Sequence, residues 1–63
     1  MRRIKIYYND GNNKVYIGPT FGDGTNVTEA LHESMEWCKT NCEDRGIMDY
    51  YYNGHHVWLE QVV

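Results

Sequence analysis

Apolar positions recur along this chain at a spacing of two, then of three and four, then of two again, and these changes mark out its elements. Residues 2–8 read Arg-Arg-Ile-Lys-Ile-Tyr-Tyr. Ile4, Ile6 and Tyr8 fall on one side of an extended chain, with Arg3, Lys5 and Tyr7 on the other. That is the period of a half-buried strand. Lys14–Ile17 alternates likewise, Val15 and Ile17 against Lys14 and Tyr16. Between the two runs stands Asn9-Asp10-Gly11-Asn12-Asn13, residue types that tolerate positive φ and suit a turn. A β-hairpin is therefore predicted. Gly18-Pro19 should end its second strand, because proline has no N–H to give to a ladder.

From Asn26 to Arg45 the rhythm becomes helical. Val27, Ala30, Leu31, Ser34, Met35, Cys38 and Cys42 form one stripe, following the i, i+3, i+4, i+7 spacing of a helix with one buried face. The opposite face carries Glu29, Glu33, Glu36 and Glu43, with His32 and Lys39 beside them. Asn26 and Glu29 have the spacing of a capping box, and Gly46 is the expected residue just past the helix end. A helix of about twenty residues would be roughly 30 Å long, which matches strands of about 25 Å. Glu43 and Asp44 would meet the negative end of its dipole, favouring fraying near residue 42.

Two further strands, Ile47–Tyr52 and His55–Val62, flank Asn53-Gly54, a strong short-range hairpin signal. Val57 and Leu59 facing the helix would turn His56, Trp58 and Glu60 away. Met48, Tyr50 and Tyr52 facing in would turn Asp49 and Tyr51 out. Alternation leaves the register of 55–62 open, since Trp58 and Val62 form an equally apolar set. The expected fold is α+β: a single four-stranded antiparallel sheet, ordered β-β-α-β-β, with one amphipathic helix packed on one face. Residues 1–63 are expected to form one small domain.

Composition narrows the class. Sixty-three residues with 41% hydrophobic content and nine aromatics are atypical of a disordered chain and sit near the lower limit for folding on one core. No apolar run has the length of a signal peptide or a membrane span, so a cytoplasmic, non-membrane protein is expected. Cys38 and Cys42 are four apart, pointing the same way on consecutive turns, where a bridge would strain the helix. They are expected to be reduced and buried. Formal net charge is −3, unevenly spread: residues 1–19 hold four bases against Asp10, residues 20–63 eight acids against Lys39 and Arg45. Such a split is a statement about partners.

Four constellations could carry function. On the expected register, the sheet face away from the helix shows Arg3, Lys5, Tyr7, Lys14, Tyr16, Tyr51, His56 and Trp58. Aromatics among cations on an open sheet can stack bases and meet phosphates, so Arg3, Lys5, Tyr7, Lys14 and Tyr16 are candidates for single-stranded nucleic acid. Asp49 and Glu60 on the same face, and the acidic total, favour instead a protein partner or a homodimer anchored by Tyr7, Tyr16, Tyr51 and Trp58. The ridge of Glu29, Glu33 and Glu36 could steer a basic partner, although Glu29 and Glu33 are like charges at i, i+4. Cys38, Cys42 and His55-His56 approach the spacing of a zinc site. Yet adjacent histidines in a strand point to opposite faces, and no metal or other cofactor is expected. The loop Thr20-Phe21-Gly22-Asp23-Gly24-Thr25 precedes a helix as phosphate loops do, but it lacks their Gly-Lys-Ser/Thr, and Asp23 would repel an anion. Catalysis is not expected: a buried mid-helix Cys38 lacks the setting that makes a thiolate, even with His32 or His55 as base.

The stretch Gly-Asp-Gly-Thr-Asn-Val-Thr-Glu-Ala-Leu (22–31) following a hairpin resembles the helix start of the HicB antitoxin family. The likeness covers residues 3–40. The chain departs from that family in lacking its Pro-Asp-Leu-Pro-Gly-Cys strand and an appended DNA-binding domain, so the resemblance carries no function over. In type, a small acidic protein with one helix and four strands is similar to phage-encoded inhibitors of host defence, anti-CRISPR proteins among them. The function expected is thus a non-enzymatic module that blocks a host protein through an acidic helix and an aromatic sheet face. Single-stranded nucleic-acid binding is the alternative.

Overall fold

Local chemistry sets each element of the computed structural model, which describes residues 3–22 and 26–62. The alternating N-terminal runs form β1 (Arg3–Asp10) and β2 (Asn13–Phe21). Asp10 pairs with Asn13 across a two-residue turn, Gly11-Asn12, and Gly11 takes φ +64°, where a side chain would be strained. Contrary to expectation, Gly18-Pro19 does not end β2. Ile4 pairs with Phe21 while Ile6 pairs with Ile17, so the strand bulges through Gly18-Pro19-Thr20 and then resumes. Proline is tolerated because β2 lies at the sheet edge, where an N–H is dispensable.

Helix α1 spans Val27–Asn41. Asn26 caps it, its Oδ1 accepting the backbone N–H of Glu29 at 2.9 Å. Ala30, Ser34 and Cys38 are buried. The Ser34 hydroxyl donates to the Leu31 carbonyl at 2.7 Å, so its burial leaves no polar group unpaired. The helix is shorter than its periodicity implies. Cys42 is already extended (φ −119°, ψ 165°), its N–H donating to the Cys38 carbonyl. Glu43–Asp44 then form a fifth strand, β3, against β4 (Tyr50–Tyr52). The expected four-stranded sheet is therefore five-stranded. Two acidic residues that would have met the negative helix end lie in a paired strand instead. Gly46 is accordingly not a helix cap: it lies in the β3–β4 turn. Of the expected strand Ile47–Tyr52 only Tyr50–Tyr52 pairs, Ile47 and Met48 being in that turn.

β5 (His55–Val62) follows Asn53-Gly54, whose φ values of 50° and 82° are the positive pair that a two-residue hairpin turn requires. The sheet order is β2-β1-β5-β4-β3, antiparallel throughout. The helix packs on one face. Ile6, Cys38, Tyr50 and Val57 form the buried centre, with Ile17, Phe21, Trp37, Cys42, Tyr52 and Leu59 packed around it. Val57 and Leu59 thus face inward, which settles the register that alternation left open. Among the described residues no helix is long and apolar enough to cross a membrane.

Candidate functional site

Strand pairing determines which side chains share the uncovered face. Tyr7 stands opposite Tyr16 across β1–β2 and opposite Trp58 across β1–β5. Tyr51 stands opposite His56 across β4–β5. With Ile6 and Val57 buried under the helix, the alternation places Tyr16, Tyr7, Trp58, His56 and Tyr51 on the other side, in a band over four strands. Neighbouring rings meet edge-on: Tyr7 and Tyr16 with centroids 6.1 Å apart, His56 and Trp58 at 4.4 Å, Tyr51 and His56 at 5.2 Å. Such contacts hold the rings in fixed orientation. Tyr16 and Trp58 nonetheless keep 49% and 48% of their surface exposed.

The charges of this face are largely engaged by its own residues. Lys14 Nζ lies 2.6 Å from Glu60 Oε1, and the Tyr16 hydroxyl donates to Glu60 Oε2 at 2.9 Å. These two donors hold the Glu60 carboxyl below its ordinary range. The same carboxylate raises the Lys14 ammonium and the Tyr16 hydroxyl above theirs. Lys14 also sits 4.6 Å from the Tyr7 ring centre and Lys5 4.8 Å from that of Tyr16, within cation–π range. Arg45 stacks on Tyr51 at 4.0 Å while its guanidinium bonds Glu43 at 3.0 Å, an arrangement that raises its pKa. His56 Nε2 is 3.4 Å from Asp49 Oδ1. Arg3 shares the register of Lys5 and Tyr7, opposite Val62.

The other candidates are dispersed. Glu29, Glu33 and Glu36 are exposed on the helix, with Lys39 Nζ 3.9 Å from Glu36. They lie on the opposite side of the molecule from the aromatic band, so the two sets of expected contact residues do not form one surface. Of the zinc candidates, Cys38 is buried beneath the helix. His55 stacks on Tyr8 with centroids 4.6 Å apart, and His56 is on the far face. Among the described residues no three His, Cys, Asp or Glu side chains are grouped to hold a metal ion. Burial pushes the Cys38 thiol up to about 12, which works against a nucleophilic thiolate. Of the glycine-rich loop, Asp23, Gly24 and Thr25 lie outside the described residues, and Gly22 is buried.

Sequence reasoning missed three features. Trp37 packs on the core over Gly18; its position just beside the Ser34–Cys38 line was the available signal. Glu60 engages Lys14, a pairing that becomes visible only once β1 is known to lie between β2 and β5. Ile47 and Met48 are exposed, 97% and 42%, in a turn that periodicity had assigned to a strand. Comparison of the chain with family models, with curated proteins and with solved structures finds no match.

Proposed function

We propose that this chain is a non-enzymatic protein-binding module whose contact surface is the uncovered face of its sheet. One observation carries the reading: rings are left accessible there while the neighbouring cations are already occupied. Trp58, on the central strand β5, and Tyr16 on β2 are half exposed, and aromatic anchors are what dominate protein interfaces. Lys14 is neutralised by Glu60, and Lys5 and Lys14 cover ring faces. Phosphate binding needs unpaired cations. The face therefore suits a protein better than a nucleic acid. The exposed acids of α1 favour a partner of basic character, which they would attract from a distance.

Glu60→Gln separates this reading from single-stranded nucleic acid binding. It releases Lys14, so a phosphate-binding face would gain affinity for an oligonucleotide. The slope of log affinity against log salt would steepen by about 0.7 for one further phosphate contact on a single strand. The expected result is no binding of oligouridylate or oligothymidylate at low salt, by the native chain or by Glu60→Gln. Binding that strengthens in the variant would replace a protein partner with a nucleic acid. A sedimentation mass of two chains, reduced to one by Trp58→Ala, would make the partner a second copy.

A further inference from the structure

The β3–β4 turn and the end of α1 enclose a second surface, lined by residues other than those of the aromatic band. Met35, Lys39, Asp44, Gly46, Ile47, Met48 and Tyr50 line a hollow of about 450 Å³ that opens broadly to solvent. Its apolar parts come from both layers: Met35 from the helix, Tyr50 from β4, Ile47 and Met48 from the turn. Ile47 is 97% exposed, so it contributes almost nothing to the core of the isolated chain. Met48 is held at φ +54°, a region that a long side chain seldom occupies, and such strain persists where the surroundings impose it. The turn is braced for this. Gly46 N–H donates to Asp44 Oδ1 at 3.2 Å, and Arg45 N–H donates to the Asp49 carbonyl at 2.9 Å.

Charge identifies the occupant. Asp44 lines the hollow, and Glu36 lies 3.9 Å from Lys39, which also lines it; the Tyr50 hydroxyl is raised first by burial and then by Asp44, with Cys38 and Glu36 adding less. Glu29 and Glu33 continue the acidic surface along the helix, and Lys39 is its one described cation. A second copy docking here through the same surface would bring carboxylates against carboxylates. We infer that the hollow between Met35 and the Ile47-Met48 turn binds a basic amphipathic segment of a partner protein, one large apolar side chain entering it while flanking Lys or Arg residues meet Asp44, Glu36 and the helix acids. Methionine suits such a site because its unbranched, polarisable side chain adapts to the shape it receives. The site is independent of the aromatic face, and either can fail without the other.

A synthetic helical peptide of leucine and lysine is the probe, titrated into the full chain and followed by NMR. The expected result is movement of the Met35, Ile47 and Met48 methyl signals while the Trp58 indole N–H stays in place. Ile47→Ser, at an exposed position that folding does not need, should weaken binding by about tenfold or more. Three outcomes would overturn the site: equal binding of a peptide with serine in place of leucine, shifts confined to the Trp58 face, or no effect of Ile47→Ser. A dimer that Ile47→Ser dissociates would also overturn it, since the occupant would then be a second copy.

Discussion

At Gly18 the edge strand β2 meets Trp37 of the helix directly. A Cβ built there would lie 2.7 Å from Trp37 Cζ2, and the backbone sits at φ +69°. Both conditions oppose any side chain, one by collision with an aromatic ring and one by backbone strain. Gly18→Ala should therefore destabilise the fold by about 2–4 kcal/mol, combining overpacking with a positive-φ penalty. Chemical denaturation measures it. Repeating the substitution in a Trp37→Leu background tests the cause, because removing the indole should relieve the collision and leave the φ cost of about 1–2 kcal/mol. Equal losses in both backgrounds would show that Trp37 does not press on Gly18.

At the scale of elements, the hairpins were legible because their turns are written in residue type. Asn53-Gly54 takes the two positive φ values it advertises, and the strict alternation of Ile4, Ile6 and Tyr8 against Arg3, Lys5 and Tyr7 fixes which face is covered. The helix end was not legible. Cys42 continues the apolar stripe, so periodicity could not show that the chain turns extended there, and Glu43–Asp44 gain a partner only when Tyr50 and Tyr51 return beside them. Nor could alternation distinguish a bulged edge strand at Pro19 from an ended one. The candidate band of rings was readable face by face, whereas the pairing of Lys14 with Glu60 depends on strand order. Helix docking has a pH signature. In the folded chain the Cys38 thiol is pushed up to about 12 by burial, from an ordinary value of 9.0. Between those values the unfolded chain holds fewer protons than the folded one, so stability falls as pH rises. The stabilising difference is fully present below about pH 9 and is lost towards pH 12. Tyr50, also raised mainly by burial, acts in the same direction. Cys38→Ala should lose less stability than the native chain between pH 8 and 10.5, measured by denaturant midpoint. An unchanged alkaline slope would mean that Cys38 ionises without leaving the core.

Taken whole, the molecule is a thin plate of 32 × 25 × 15 Å, and its charge is sorted across the thin direction. The helix side carries Glu29, Glu33, Glu36 and Asp44 against Lys39; the other carries Arg3, Lys5, Lys14 and Arg45 against Glu43, Asp49 and Glu60. The broad face has a footprint of roughly 800 Å², about the share one partner contributes to a standard interface. A flat partner can cover one side only, so under the proposed function the rings and the helix acids would act at different moments of one encounter. Acids outside the contact influence approach, which salt screens over about 10 Å at 0.1 M. Rings inside it govern how long the complex lasts. For a partner bound on the sheet face, Trp58→Ala should raise the dissociation rate by about thirtyfold or more, the size of a 2 kcal/mol anchor, and leave the association rate within about twofold. Glu33→Ala should slow association several-fold at low salt and lose that effect by about 0.5 M, with dissociation unchanged. Surface-plasmon traces at two ionic strengths separate the rates. Were both variants to change dissociation alike, the helix and the sheet face would have to touch the partner together, which requires an occupant that wraps the edge of the plate rather than one that lies against it.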